Sequence, residues 1–122
     1  MNAPNAFRVA NSTRLAALAL VFGCFGCAVT SVTRSGERFP PFPEDCAIDF
    51  RYGDVNKAMQ LTASGYVQVA SMTVSRAGDS LDENMKAVAR PEACKVGAHV
   101  AMLVSSQSGD PSYVSFVLLR KQ

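Results

Sequence analysis

The sequence predicts a small α+β domain: a mixed or antiparallel sheet with one main helix packed on one face, in the order β-β-α-β-β. Three observations carry this. Three stretches, Tyr66–Ser75, His99–Ser105 and Tyr113–Arg120, are rich in β-branched and apolar residues and bounded by turn formers. Residues 82–97 place apolar side chains at steps of three and four. Cys46–Arg51 alternates with the period of a strand covered on one face.

The chain divides as 1–23, a leader; 24–44, a tether; and 45–122, the folded domain. Residues 1–14 contain Arg8 and Arg14 and no acid, and Leu15–Phe22 is an unbroken run of eight apolar residues followed by Gly23-Cys24. A basic start, a short apolar core and a small residue at the cut are the parts of a secretory signal. The arginines stay on the cytoplasmic side while the apolar run enters the membrane. A spanning helix needs roughly 20 apolar residues. Leu15–Val29 reaches only fifteen and includes two glycines.

Thr30–Glu44 reads as a spacer, because Pro40, Pro41 and Pro43 disfavour regular pairing. As a flexible coil, the roughly 20 residues between the lipid and the domain would span on the order of 25 Å. Cys46–Arg51 follows as a strand with Cys46, Ile48 and Phe50 on one side. Tyr52–Ser64 is less regular: Tyr52-Gly53-Asp54 suggests a turn, and Val55–Leu61 reads as one short helical turn or loop. Strand Tyr66–Ser75 lies between Gly65 and the breakers of Arg76–Ser80.

Ser80 or Asp82 is suited to cap the main helix, with Asp82 and Glu83 in the first turn, where acids complement the helix dipole. Its apolar stripe is Leu81, Met85, Val88, Ala89, Ala93 and Val96, and Gly97 is its stop. Pro91 falls inside it. Either the helix kinks there or Pro91 opens a second short helix, the kink being the preferred reading. His99–Ser105 and Tyr113–Arg120 are then the last two strands, joined by the turn-rich Ser106–Ser112 as a hairpin.

Removing residues 1–23 removes two of the twelve basic residues and no acid, so the remainder carries ten of each sign and is neutral. No basic patch interleaved with aromatics remains, and nucleic-acid binding has no electrostatic footprint. The part after the leader is about 99 residues, one small domain of marginal stability without covalent help. In an oxidising compartment Cys46 and Cys94 can supply that help. A Cys46–Cys94 disulfide is expected, closing a loop of about 49 residues; two separate buried thiols are the alternative.

The residues around the cut resemble the bacterial lipobox, which has an aliphatic residue three before a cysteine and a small one just before it. Val21-Phe22-Gly23-Cys24 fits, and Cys24-Phe25-Gly26-Cys27 is a second match ending in Gly-Cys. The resemblance implies cleavage before the cysteine and attachment of more than one acyl chain to it. Cys24 is the expected site and Cys27 the alternative. Two or more chains give stable anchoring where one does not. Phe25 replaces the aspartate that retains such proteins at the inner membrane of enteric bacteria, which points to the outer membrane, facing the periplasm or the cell surface. Cys24-Phe-Gly-Cys27 also has redox spacing, but it ends a signal core rather than opening a helix.

The run from Ala93 through Gly97, Ala98 and His99 to Leu103 (ACKVGAHVAML) resembles the helix-to-strand signature of small envelope lipoproteins of the RcsF-type outer-membrane stress-sensor family. The likeness covers about residues 46–120 together with the lipobox. It implies an α+β fold, an envelope location and disulfide positions like those of Cys46 and Cys94.

No catalytic constellation is legible, and the protein is not expected to be an enzyme. His99 is the only histidine, too few for a zinc site, and reads as a junction residue. Asp79, Asp82 and Glu83 lack calcium-loop spacing. There is no G-x-S-x-G elbow and no Gly-rich phosphate loop. No metal or cofactor is expected. The leading expectation is a lipid-anchored envelope protein whose small domain acts as a sensor or accessory subunit for another envelope protein. The alternative is a small-molecule or metal-binding envelope module.

Overall fold

A computed structural model describes residues 28–122. These form one five-stranded mixed sheet with two helices, in the class the sequence indicates. The elements are β1 (Val29–Arg34), β2 (Asp49–Tyr52), α1 (Val55–Ala63), β3 (Tyr66–Ser75), α2 (Glu83–Lys95), β4 (Val100–Gln107) and β5 (Tyr113–Lys121). The strand order across the sheet is β1-β3-β5-β4-β2. Only the β2–β4 pair is parallel; β1–β3, β3–β5 and β4–β5 are antiparallel.

Two elements correct the sequence reading. The spacer expected over residues 30–44 is in part a strand: β1 pairs with β3 from Val29↔Ser75 to Arg34↔Ala70. Its sequence, VTSVTR, is rich in β-branched residues, and Val32 packs against the core while Thr33 is exposed. The stretch expected as a helical turn or loop is a nine-residue helix, α1. Asp54 caps it, accepting a hydrogen bond from the Lys57 amide at 2.8 Å. Gly65, at φ +101°, lets the chain reverse into β3. The observed order is therefore β-β-α-β-α-β-β.

α1 and α2 are both crossovers between parallel strands, and they travel in opposite directions across the sheet. Right-handed connections then put them on opposite faces. The side chains agree. Ala70, Met72 and Val74 of β3, Val114, Phe116 and Leu118 of β5, and Ala101 and Leu103 of β4 share one buried cluster with Met85, Ala89, Ala93 and Cys94 of α2. Val100, Met102 and Leu119 alternate to the other face and are buried outside that cluster, where α1 contributes Ala58. Beyond α1's reach the second face turns polar, with Ser71, Thr73, Ser75 and Ser115. The Thr73 and Ser115 hydroxyls lie 3.4 Å apart across the β3–β5 pair.

α2 is capped by Asp82, whose carboxylate accepts from the Met85 amide at 2.8 Å. The helix continues through Pro91 to Lys95 as one element, so no second helix begins there. Anchoring on both sides of the proline, by buried Ala89 and by Ala93 and Cys94, offsets the one hydrogen bond that Pro91 removes.

Candidate functional site

Cys24 and Cys27, the expected and alternative lipid sites, lie outside the described residues. Cys46 and Cys94 are joined in a disulfide, their Cα atoms 6.0 Å apart. Cys94 is fully buried on the last turn of α2, and Cys46 packs beside it from the segment before β2. The bond fastens the proline-rich stretch to the end of α2, together with a hydrogen bond from the Phe42 amide to the Cys94 carbonyl at 2.8 Å.

The same stretch is held by aromatic contacts. The Arg120 guanidinium stands 4.8 Å from the Phe39 ring and 5.1 Å from the Phe42 ring, and donates to the Gly97 carbonyl at 2.9 Å. Gly97 has to be glycine for two reasons. Its φ is +78°, and a Cβ there would come within 2.9 Å of the Pro40 carbonyl oxygen. Residues 39–42 are thus docked on the domain, where the sequence suggested a free spacer.

His99 is a junction. Its amide donates to the Leu119 carbonyl at 2.8 Å, its carbonyl accepts from the Asp49 amide at 2.9 Å, and its Nδ1 accepts from the Lys121 amide at 3.0 Å. The Phe42 ring lies 5.2 Å away. An Nδ1 that accepts carries no proton, so the imidazole is neutral here. Burial, and then the positive charges of Arg120 and Lys121, hold its pKa below the ordinary value. Lowering the pH through about 6.5 protonates the unfolded chain first, so stability falls until the folded imidazole also titrates. We expect the urea midpoint to drop as the pH is lowered through about 6.5, and His99→Gln to flatten that part of the drop.

Asp82 is occupied as the cap of α2, Glu83 pairs with Lys86 at 3.6 Å, and Asp79 is exposed. Among the described residues no three His, Cys, Asp or Glu side chains gather into a group that could hold a metal ion.

The structure brings together a different set. β2, α1 and β4 enclose an open cleft of 340 Å³ on the α1 face of the sheet. Arg51 and Tyr52 line it from β2 and Met102 from β4; Lys57, Gln60, Leu61 and Ser64 line it from α1 and its C-terminal cap. Two of the seven are cationic and none is acidic. The Arg51 guanidinium bonds Asp49 through Nε at 2.9 Å and Nη2 at 2.7 Å, which raises its pKa first by that hydrogen bond. Both bonds go to one carboxylate oxygen, leaving three of the five guanidinium N–H donors unspent on that partner. Lys57 makes no salt bridge among the described residues.

No family model matches this chain, and comparison with curated proteins and with solved structures returns no match.

Tyr52 of the cleft lining, and Val55 and Met59 of α1, are 60%, 63% and 61% exposed. They are three of the four large apolar side chains left exposed among the described residues, and they fall within one eight-residue stretch. Val55 and Met59 are four apart on α1 and share a helical face. The Tyr52 hydroxyl accepts from the Leu81 amide at 2.8 Å, so that ring is held in place although it is open to solvent. Sequence reading missed this region because it took the stretch around α1 as irregular; Asp54 as a cap was the available signal.

Proposed function

We propose that this chain is a lipid-anchored cell-envelope protein of the RcsF-type lipoprotein kind, held at the outer membrane, with a non-enzymatic domain that docks another envelope protein. The observation that carries this reading is the sequence Val21-Phe22-Gly23-Cys24, set behind a basic start and an eight-residue apolar run. The Cys46–Cys94 disulfide suits an oxidising compartment. The exposed Val55 and Met59, on one face of α1, are suited to a protein partner, since methionine side chains are enriched at such contacts.

β1 changes how the anchor would work. With lipid on Cys24 and the sheet beginning at Val29, the chain between them spans at most about 18 Å. The domain is then held close to the bilayer rather than swinging on a long tether. Its membrane-proximal end is the one that carries Val29, Ser75 and Tyr113. The disulfide and Gly97 lie towards the opposite end, where β4 begins.

Replacing Cys24 and Cys27 together by serine tests the anchor. The double variant is expected to lose flotation with membranes and to retain its leader, while the unaltered chain floats. A variant that still floats and has the same N-terminus as the unaltered protein contradicts the proposal.

A further inference from the structure

The cleft between α1 and β2 suggests a ligand chemistry that the anchor and the docking surface do not require. We propose that it binds a carboxylate attached to a small apolar group, such as the terminal residue of a peptide or a short fatty acid. Its lining has two parts. Lys57, with no salt bridge among the described residues, and Arg51, with N–H donors left over from its bond to Asp49, give it positive character. Asp49 offsets the charge of Arg51, so the net positive character rests on Lys57, and no acidic side chain lines the cleft to pair with that residue. Leu61 and Met102 give an apolar floor, and Met102 is 2% exposed.

The floor is fixed by the chain around it. Met102 sits opposite Arg51 in the parallel β2–β4 register, so both point to the α1 face. A Cβ at Gly53 would approach the Met102 sulfur to 2.5 Å, so the turn into α1 closes directly over that side chain. The two acids near Arg51 and Lys57 in sequence have partners of their own: Asp49 pairs with Arg51, and Asp54 accepts from the Lys57 amide. An arginine and a lysine beside an apolar floor favour an anion with a hydrophobic tail over a cation or a neutral sugar.

Size narrows the class. At 340 Å³ the cleft is at the small end of ligand sites, which limits it to a small molecule or to one end of a larger one. A leucine with a free carboxyl group, or a six-carbon fatty acid, is within that limit. A longer chain would have to leave through the open mouth.

Methionine methyl groups report on this directly. Met102 lies in the cleft, Met59 outside it, and Met72 and Met85 in the core on the other face. The full chain, labelled with ¹³C at the methionine methyls and kept in neutral detergent, would be titrated with acetyl-leucine, acetyl-leucinamide and hexanoate. The Met102 signal is expected to shift saturably with acetyl-leucine while Met72 and Met85 stay still. The amide should bind at least about tenfold more weakly, since it lacks the charge. Lys57→Gln should weaken the acid by about tenfold and leave the amide unchanged; Lys57 is exposed, so this variant keeps the fold. Hexanoate equal to or better than acetyl-leucine would identify the source as a free amphiphile, and acetyl-leucine alone would identify a chain terminus. A stationary Met102, equal binding of acid and amide, or a Lys57→Gln protein that binds the acid normally would each overturn the proposal. None of these readouts depends on lipidation or on a protein partner.

Discussion

Replacing Cys46 and Cys94 together by alanine is expected to lower the unfolding free energy by about 4 kcal/mol. The bond joins residues 48 apart in sequence, and a closed loop of that length removes much of the freedom of the unfolded chain. Domains of this size are stable by roughly 5–15 kcal/mol in total, so the loss is a large share of what holds the fold. The change should also release residues 39–42. Their remaining holds are the Phe42–Cys94 backbone hydrogen bond and the stack of Phe39 and Phe42 on Arg120. Urea unfolding of the oxidised protein, the reduced protein and the double variant checks this. The last two should unfold at similar, lower midpoints; an unchanged midpoint on reduction contradicts it.

Phe116→Ala should cost about 3–5 kcal/mol. Phe116 is 1% exposed on β5, between Met72 of β3 and Leu103 of β4, with its ring edge-on to Phe50 at 6.3 Å. Alanine leaves a cavity under α2 that the sheet is too constrained to close. The neighbouring Val117 points to the opposite face, between Ser71 and Met102, and is only half-buried. Val117→Ala should therefore cost less than about 1.5 kcal/mol. A comparable loss for both in chemical denaturation would mean that the two faces of β5 are wrongly assigned.

Both expectations rest on features that were partly legible in the sequence. Tyr66–Ser75 and Tyr113–Arg120 were recognisable because their β-branched runs are bounded by turn residues, and the structure pairs them along β3 and β5. The α2 stripe was recognisable because Met85, Ala89 and Ala93 recur at helical steps, and all three are buried. β1 was missed because Pro40, Pro41 and Pro43 dominated the reading of a longer segment. Val29–Arg34 precedes those prolines, and its pairing with β3 is a long-range contact that no local pattern announces. α1 was missed because nine residues behind a Gly-Asp turn give a weak periodic signal, and only Ala58 is fully buried.

The cleft was not legible at all. Arg51 and Lys57 lie on consecutive elements, but Met102 comes from β4, far along the chain, and each looks ordinary in its own stretch. Only the β2–β4 register sets Arg51 beside Met102, and only the return of α1 over that edge brings Lys57 to them. His99 shows the converse. As a lone histidine between a helix and a strand it reads as a junction residue, and its Nδ1 accepts from the Lys121 amide while both of its backbone groups are in the sheet network.

The intact mass of the protein purified from its native membrane tests the central proposal most directly. The account predicts a chain that begins at Cys24, carries more than one acyl chain on that residue, and is lighter by two hydrogens for the Cys46–Cys94 bond. An unmodified chain that still begins at Met1 would contradict it.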